Sequence, residues 1–307
     1  MELHEITPLD GELVQSQEED IYQSSLNLLM ANQEWRLATS LAIRLHGENA
    51  QSESSLKNLA RCLSQVGERA NASVAYSQLC KKFPGFENYV ESGNFYYEIR
   101  NYIEAKRFYT KAICDQKEDY VLLFDLFKNL GNIACHEGDF EQAEDFYNKA
   151  HRIYSKSAML ATNYGSLYFL QSKFSEAKKS FQQAIDLNAE TEKAYIGLAM
   201  VNRQSGDGDM AIANIKKALD INPMQENAIK MLANWALKDF SYSYAIEAIE
   251  NFNEQSEYNE DINVLLAGLY YQAGFRDESK FETNKILAFN PQNADAIKLL
   301  GVMEDYE

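Results

Sequence analysis

Residues 131–150 read Gly131-Asn132-Ile133-Ala134-Cys135-His136-Glu137-Gly138-Asp139-Phe140-Glu141-Gln142-Ala143-Glu144-Asp145-Phe146-Tyr147-Asn148-Lys149-Ala150, and the order of small and large residues here decides the fold. Gly131 is followed twelve residues later by Ala143, four beyond that by Tyr147, and three further by Ala150. Offsets of four and three place residues on one face of a helix. Small residues at fixed spacing let two helix backbones approach closely, and bulky ones fill the gaps between neighbours. The stretch from Gly165 repeats the order with Ala177, Phe181 and Ala184.

The same register runs through nearly the whole chain. Ala60, Gly93, Gly131, Gly165, Ala199, Ala233, Ala267 and Gly301 are separated by 33, 38, 34, 34, 34, 34 and 34 residues. Twelve residues after most of them stands a second small residue: Ala72, Ala105, Ala143, Ala177, Ala211, Ala245 and, in the last full unit, Ser279. Four further come Tyr76, Tyr109, Tyr147, Phe181, Ile215 and Ile249. Three of the four prolines, Pro84, Pro223 and Pro291, fall five residues after Leu79, Ala218 and Ile286, where a helix should stop. At the start, Leu26 takes the place of the small residue, with Ala38 twelve later.

The segment Gly131–Ala150 resembles the second half of helix A, the turn and helix B of a tetratricopeptide repeat. That resemblance implies an all-α, right-handed superhelical α-solenoid of antiparallel helix pairs, with helix A lining the concave face and helix B the outside. Eight units are expected, beginning near Glu19, Glu53, Phe86, Phe124, Ala158, Glu192, Glu226 and Glu260, with a C-terminal helix from about Ala294. Residues 1–18, with Pro8 and Gly11 and no clear period, read as a loosely ordered extension. Residues 19–123 hold repeats 1–3, and residues 124–307 hold repeats 4–8 plus the capping helix, continuous with the preceding array. The 38-residue interval carries four extra residues around Asp115–Asp119, about one helical turn, which predicts a longer helix in an unbroken stack. Ser279 and Thr283 depart from the pattern where terminal repeats are often atypical.

Composition agrees with helices: only 4 Pro and 14 Gly punctuate 307 residues. Twenty-nine basic against 46 acidic side chains give a formal charge of −17, which opposes a general nucleic-acid or anionic-membrane binder. Cys62, Cys80, Cys114 and Cys135 form no C-x-x-C pair and suit small buried residues in a reducing compartment. The first residues lack the basic patch and apolar run of a secretory signal, and no stretch has the apolar length of a membrane span. The expected setting is cytoplasmic, without membrane insertion.

No convergent set of reactive side chains is present, so an enzyme is not expected, nor a metal or cofactor. His4, His46, His136 and His151 are scattered. Ser205–Asp209 lacks the alternating ligands and distal glutamate of a calcium loop and falls where other units turn. The informative surface is helix A. Counting from each small marker places Lys128, Asn132, Asn163, Phe169, Lys193, Met200, Arg203, Lys230, Met231, Asn234 and Lys238 in the groove of units four to seven. Units one to three show instead Glu87, Glu91 and Glu98, offset by Lys57 and Arg61, so the lining is expected to change sign along the array.

Within this set, Lys128-x-Leu130-Gly131-Asn132, Asn163 and Lys193-Ala194-Tyr195 are similar to the carboxylate clamp with which some tetratricopeptide co-chaperones hold acidic C-terminal tails. The clamp's last basic residue falls on Gly197. The expectation is an adaptor that holds an acidic segment or free C-terminal carboxylate of a partner protein. The alternative is a structural subunit that self-associates or assembles through the outer face or the ends of the solenoid.

Overall fold

The computed structural model describes residues 21–115, 120–239 and 241–304. The extension expected over residues 1–18, and residues 116–119 of the long interval, lie outside the described residues. Among the described residues the chain is helical without a strand, and it divides into two compact units, one ending at Ile153 and the other beginning at Tyr154.

The first unit runs through α1 (21–31), α2 (Trp35–Glu48), α3 (Glu53–Gln65), α4 (Arg69–Lys82), α5 (Phe86–Glu98), α6 (Tyr102–Cys114), α7 (Tyr120–Glu137) and α8 (Phe140–Ile153). The second runs through α9 (Ala158–Leu170), α10 (Phe174–Leu187), α11 (Glu192–Gln204), α12 (Gly208–Ile221), α13 (Glu226–Asp239), α14 (Ser243–Gln255), α15 (Glu260–Ala273), α16 (Arg276–Phe289) and α17 (Ala294–Glu304). Each unit is a stack of antiparallel helix pairs, the all-α solenoid architecture that the resemblance implies. Odd-numbered helices from α3 onward are A helices, and each except α7 starts seven residues before its small marker. Helix α7 starts eleven before Gly131, at Tyr120, so the four extra residues add a turn at its N-terminus.

One turn type joins A to B in every pair but α13–α14, whose junction includes a residue outside the described ones. Gln33, Gly67, Arg100, Gly138, Ser172, Gly206 and Gly274 have φ between 60° and 88°. The amide after each reaches back five residues, as in Glu68 N to Leu63 O at 3.0 Å and Lys173 N to Tyr168 O at 2.8 Å. This closes the orphan carbonyls at the end of helix A with a Schellman bond pattern. The next helix then starts on a side-chain cap in several units: Asp207 accepts from Met210 N, and Asn101 from Glu104 N.

Helix A and helix B pack by placing a ring on a glycine. The Tyr109 ring covers Gly93, Tyr147 covers Gly131 and Phe181 covers Gly165, so closely that a Cβ built at Gly93 or Gly165 falls 2.5 Å from a ring carbon. Where the B-helix residue is Ile215 or Ile249, the A-helix marker is Ala199 or Ala233, each fully buried. Ring goes with glycine, and the slimmer isoleucine goes with alanine; Ala60 and Tyr76 are the exception. In the last full pair the polar substitutes are satisfied: Ser279 Oγ donates to Ala267 O at 2.9 Å and Thr283 Oγ1 to Ser279 O at 2.7 Å. Cys62 and Cys80 are buried, as expected, whereas Cys114 is exposed because it closes α6.

Candidate functional site

The A helices carry the polar side chains that the sequence assigns to a groove, and the two units use them differently. In the first unit, cations of one A helix pair with carboxylates of the next. Lys57 Nζ lies 3.5 Å from Glu87 and 3.1 Å from Glu91, and Arg61 also grips Glu91. Lys128 is only 13% exposed: its Nζ lies 2.5 Å from Asp125 Oδ1, one turn earlier, and 5.8 Å from the centre of the Phe124 ring.

Asparagines of this unit bond to tyrosines. The ring of Tyr147 that covers Gly131 also carries its hydroxyl to Asn132 Oδ1 at 2.8 Å, while Asn132 Nδ2 donates to Tyr97 OH at 2.9 Å. One repeat earlier, Tyr109 OH donates to Asn94 Oδ1 at 2.7 Å, and Asn129 Nδ2 donates to the same oxygen at 3.1 Å and to Tyr109 OH at 3.0 Å. Asn132 is therefore a structural link between helices, with both ends of its amide engaged.

In the second unit, Arg203 of α11 makes a two-pronged contact with Asp239 of α13, one prong at 2.9 Å, and stands 5.4 Å over the Trp235 ring. The bond from Arg203 holds the Asp239 carboxyl below the usual carboxylate range. Beside this pair a cleft of about 660 Å³ opens, floored by Ile212, Leu232 and Ala236 and walled by Lys216 and Tyr244. Lys230 of α13 lies 3.0 Å from Asp261 of α15 and 3.8 Å from Glu226, and its carbonyl accepts from Asn234 Nδ2 at 2.8 Å.

Lys193 and Lys238 are exposed and have no ion-pair partner among the described residues. Phe169, Met200 and Met231 are half-buried, and Phe169 packs edge-on against Phe174, ring centres 5.6 Å apart. Asn163 of α9 is half-buried as well. Of the five cations assigned to the groove, the structure thus pairs Lys128, Arg203 and Lys230 with carboxylates and leaves Lys193 and Lys238 open. No group of three or more His, Cys, Asp or Glu side chains that could hold a metal is found among the described residues. No helix there is long and apolar enough to cross a membrane.

Residues 122–190 and residues 192–223 match family models described as tetratricopeptide repeat. The chain thus carries tetratricopeptide repeats within residues 122–223. Heat shock protein STI1 of Saccharomyces cerevisiae is 29% identical over 108 residues, which make up 35% of this chain and 18% of that protein. Anaphase-promoting complex subunit 3 of Schizosaccharomyces pombe is 24% identical over 172 residues, 56% of this chain and 26% of that one. The matches thus span about a quarter or less of those relatives' own length. The crystal structure of PilW, a type IV pilus biogenesis factor, superposes with a TM-score of 0.62 at 16% identity over 70% of this chain and 99% of its own, a likeness of fold.

The tetratricopeptide packing rule also accounts for the gap in the clamp pattern. Phe181 lies between Gly165 and Gly197, and a Cβ at either glycine would enter its ring. Position 197 cannot carry the clamp's last basic side chain without displacing the ring. Asp239, Asp261 and Trp235 are the neighbours of these cations that counting along single helices misses. Their signal is a carboxylate about one repeat after the cation: Lys230 and Asp261 are 31 residues apart, Arg203 and Asp239 36.

Proposed function

We propose that this tetratricopeptide protein is a protein-binding adaptor, and that the A helices of its second unit hold an acidic segment of a partner through Lys193 and Lys238. The observation that carries this reading is the difference among its cations: Arg203 and Lys230 are already neutralised, while Lys193 and Lys238 are exposed and unpaired among the described residues. A partner carboxylate meeting either lysine breaks no existing ion pair, so charge steers its approach. Phe169, Met200 and Met231 offer half-buried apolar surface that a docked chain can cover, and adaptable methionines accept varied side chains. The likeness to heat shock protein STI1 supports a co-chaperone-like adaptor. The glycine at 197 and the engagement of Lys128 and Asn132 argue for an internal acidic segment over a clamped terminal carboxylate.

The test is fluorescence anisotropy with a Glu/Asp-rich peptide carrying Leu and Phe, prepared with a free and with an amidated C-terminus. Binding should be saturable, weaken at least tenfold between 50 and 300 mM salt, and be equal for both forms. Lys193→Glu with Lys238→Glu should abolish it at unchanged helicity. Retained binding by the double variant ends the groove reading, and a requirement for the free carboxylate ends the internal-segment form of it.

A further inference from the structure

In the first unit, buried B-helix tyrosines tie their hydroxyls to the A helices. Tyr109 OH donates to Asn94, the residue after Gly93, and accepts from Asn129, two residues before Gly131; Tyr147 OH donates to Asn132, the residue after Gly131. One pair earlier the same places fall to Arg61, after Ala60, and Glu91, two residues before Gly93. Those two grip each other, and Lys57 lies 3.1 Å from the same carboxylate. Tyr76 is consequently only 5% exposed, yet its hydroxyl has no hydrogen-bond partner among the described residues. A phenol buried to this degree ordinarily finds one.

Tyr76 instead lines a cavity of about 170 Å³ shared by α3, α4 and α5, together with Ser64, Gln65 and Glu98. Charge decides what this cavity takes. Lys57 and Arg61 are answered by Glu87 and Glu91, whereas Glu98 has no ion-pair partner among the described residues. Desolvation alone shifts the Glu98 carboxyl, upward, as for a carboxylate with no cation beside it. The structure assigns to this cavity a basic side chain of a partner protein, whose ammonium or guanidinium N–H groups donate to Glu98 and to the Tyr76 hydroxyl. Lysine and arginine carry several such donors and no acceptor, which suits a site where a carboxylate and a hydroxyl oxygen both lack a donor. The volume is well under the ~300–1,000 Å³ of small-molecule pockets, so one side chain fills it while the rest of the partner lies outside.

The site shares no residue with Lys193 and Lys238, and their reversal should leave it intact. The test titrates the full chain into a fluorescein-labelled nine-residue peptide of alanine, serine and leucine with one central lysine, read by anisotropy. Binding should be saturable, and at least tenfold weaker when norleucine replaces the lysine. Trimethyllysine, which keeps the charge but has no N–H to donate, should bind at least threefold more weakly. In the chain, Glu98→Gln should weaken binding at least tenfold and Tyr76→Phe at least threefold. Tyr76→Phe removes a hydroxyl without a protein partner, so this variant should keep the parent helicity and urea midpoint. Glu141→Gln, the same charge change at an exposed position of α8, should leave binding unchanged. Absence of binding, equal binding of the norleucine peptide, or binding indifferent to both Glu98→Gln and Tyr76→Phe overturns the proposal. Equal weakening by Glu141→Gln and Glu98→Gln also overturns it, by making the overall negative charge the attraction.

Discussion

The ring of Tyr147 occupies the volume that a methyl group on residue 131 would fill, so Gly131 and Tyr147 form one packing element shared by α7 and α8. Its hydroxyl continues to Asn132, which ties the contact into the A-helix face. Gly131→Ala gains about 1 kcal/mol of helix propensity yet should still cost about 1–3 kcal/mol net through overpacking. The chain contains the remedy in Ala199–Ile215 and Ala233–Ile249. Gly131→Ala combined with Tyr147→Ile should recover stability, with a coupling of at least about 1 kcal/mol in a urea double-mutant cycle. Additive losses would show that ring and glycine are not one element.

The A–B turns hold a residue in the left-handed region whatever its type, and Arg100 and Ser172 do so at φ 61° and 60°. A side chain there costs about 1 kcal/mol relative to glycine, which four other turns use. Arg100→Gly and Ser172→Gly should each raise the urea midpoint, equivalent to about 0.5–1 kcal/mol, and Gly206→Ala should lower it by a similar amount. A neutral or destabilising Ser172→Gly would contradict the turn assignment.

The helix pairs were legible because one spacing repeats: the small markers place α3 to α17, and the extra residues before Gly131 announce the longer α7. The site was less legible, for a physical reason. Counting from a marker places a side chain on a face, but it does not reveal what the neighbouring helix brings to that face. Lys230 and Arg203 lie on A helices, and Asp261 and Asp239 arrive from the next A helix to pair with them. Asn132 lies on an A helix as well, yet tyrosines from α5 and α8 use its amide.

Burial of Cys62 between α2 and α3 pushes its thiol up to about 11. The neutral thiol is the form the fold accepts, so the folded state binds the proton more tightly than the unfolded chain does. Stability from this site is complete below the ordinary thiol range, where both states are protonated, and is lost as pH rises toward about 11. Buried Tyr76 and Tyr109 are shifted upward by desolvation and act in the same sense. The urea midpoint should fall between pH 8 and pH 10.5, and less steeply in Cys62→Ala. An identical slope in that variant would remove Cys62 from the alkaline transition.

Asp239 and Asp261 restrain the cations of the proposed binding face, which makes their removal the sharpest functional prediction. Both pairs are solvent-exposed, with Asp239 40% and Asp261 79% accessible, so each contributes no more than about 1 kcal/mol to stability. Asp239→Asn and Asp261→Asn should therefore leave the fold nearly unchanged while releasing Arg203 and Lys230. If an acidic segment docks on this face, each variant should bind the acidic peptide roughly three- to tenfold tighter at 50 mM salt, with a steeper salt dependence. The gain should come mainly from faster association, because an exposed charge acts at long range before contact forms. Stopped-flow anisotropy separates the two rates, and weaker binding by both variants would mean that these carboxylates, and not the lysines beside them, contact the partner.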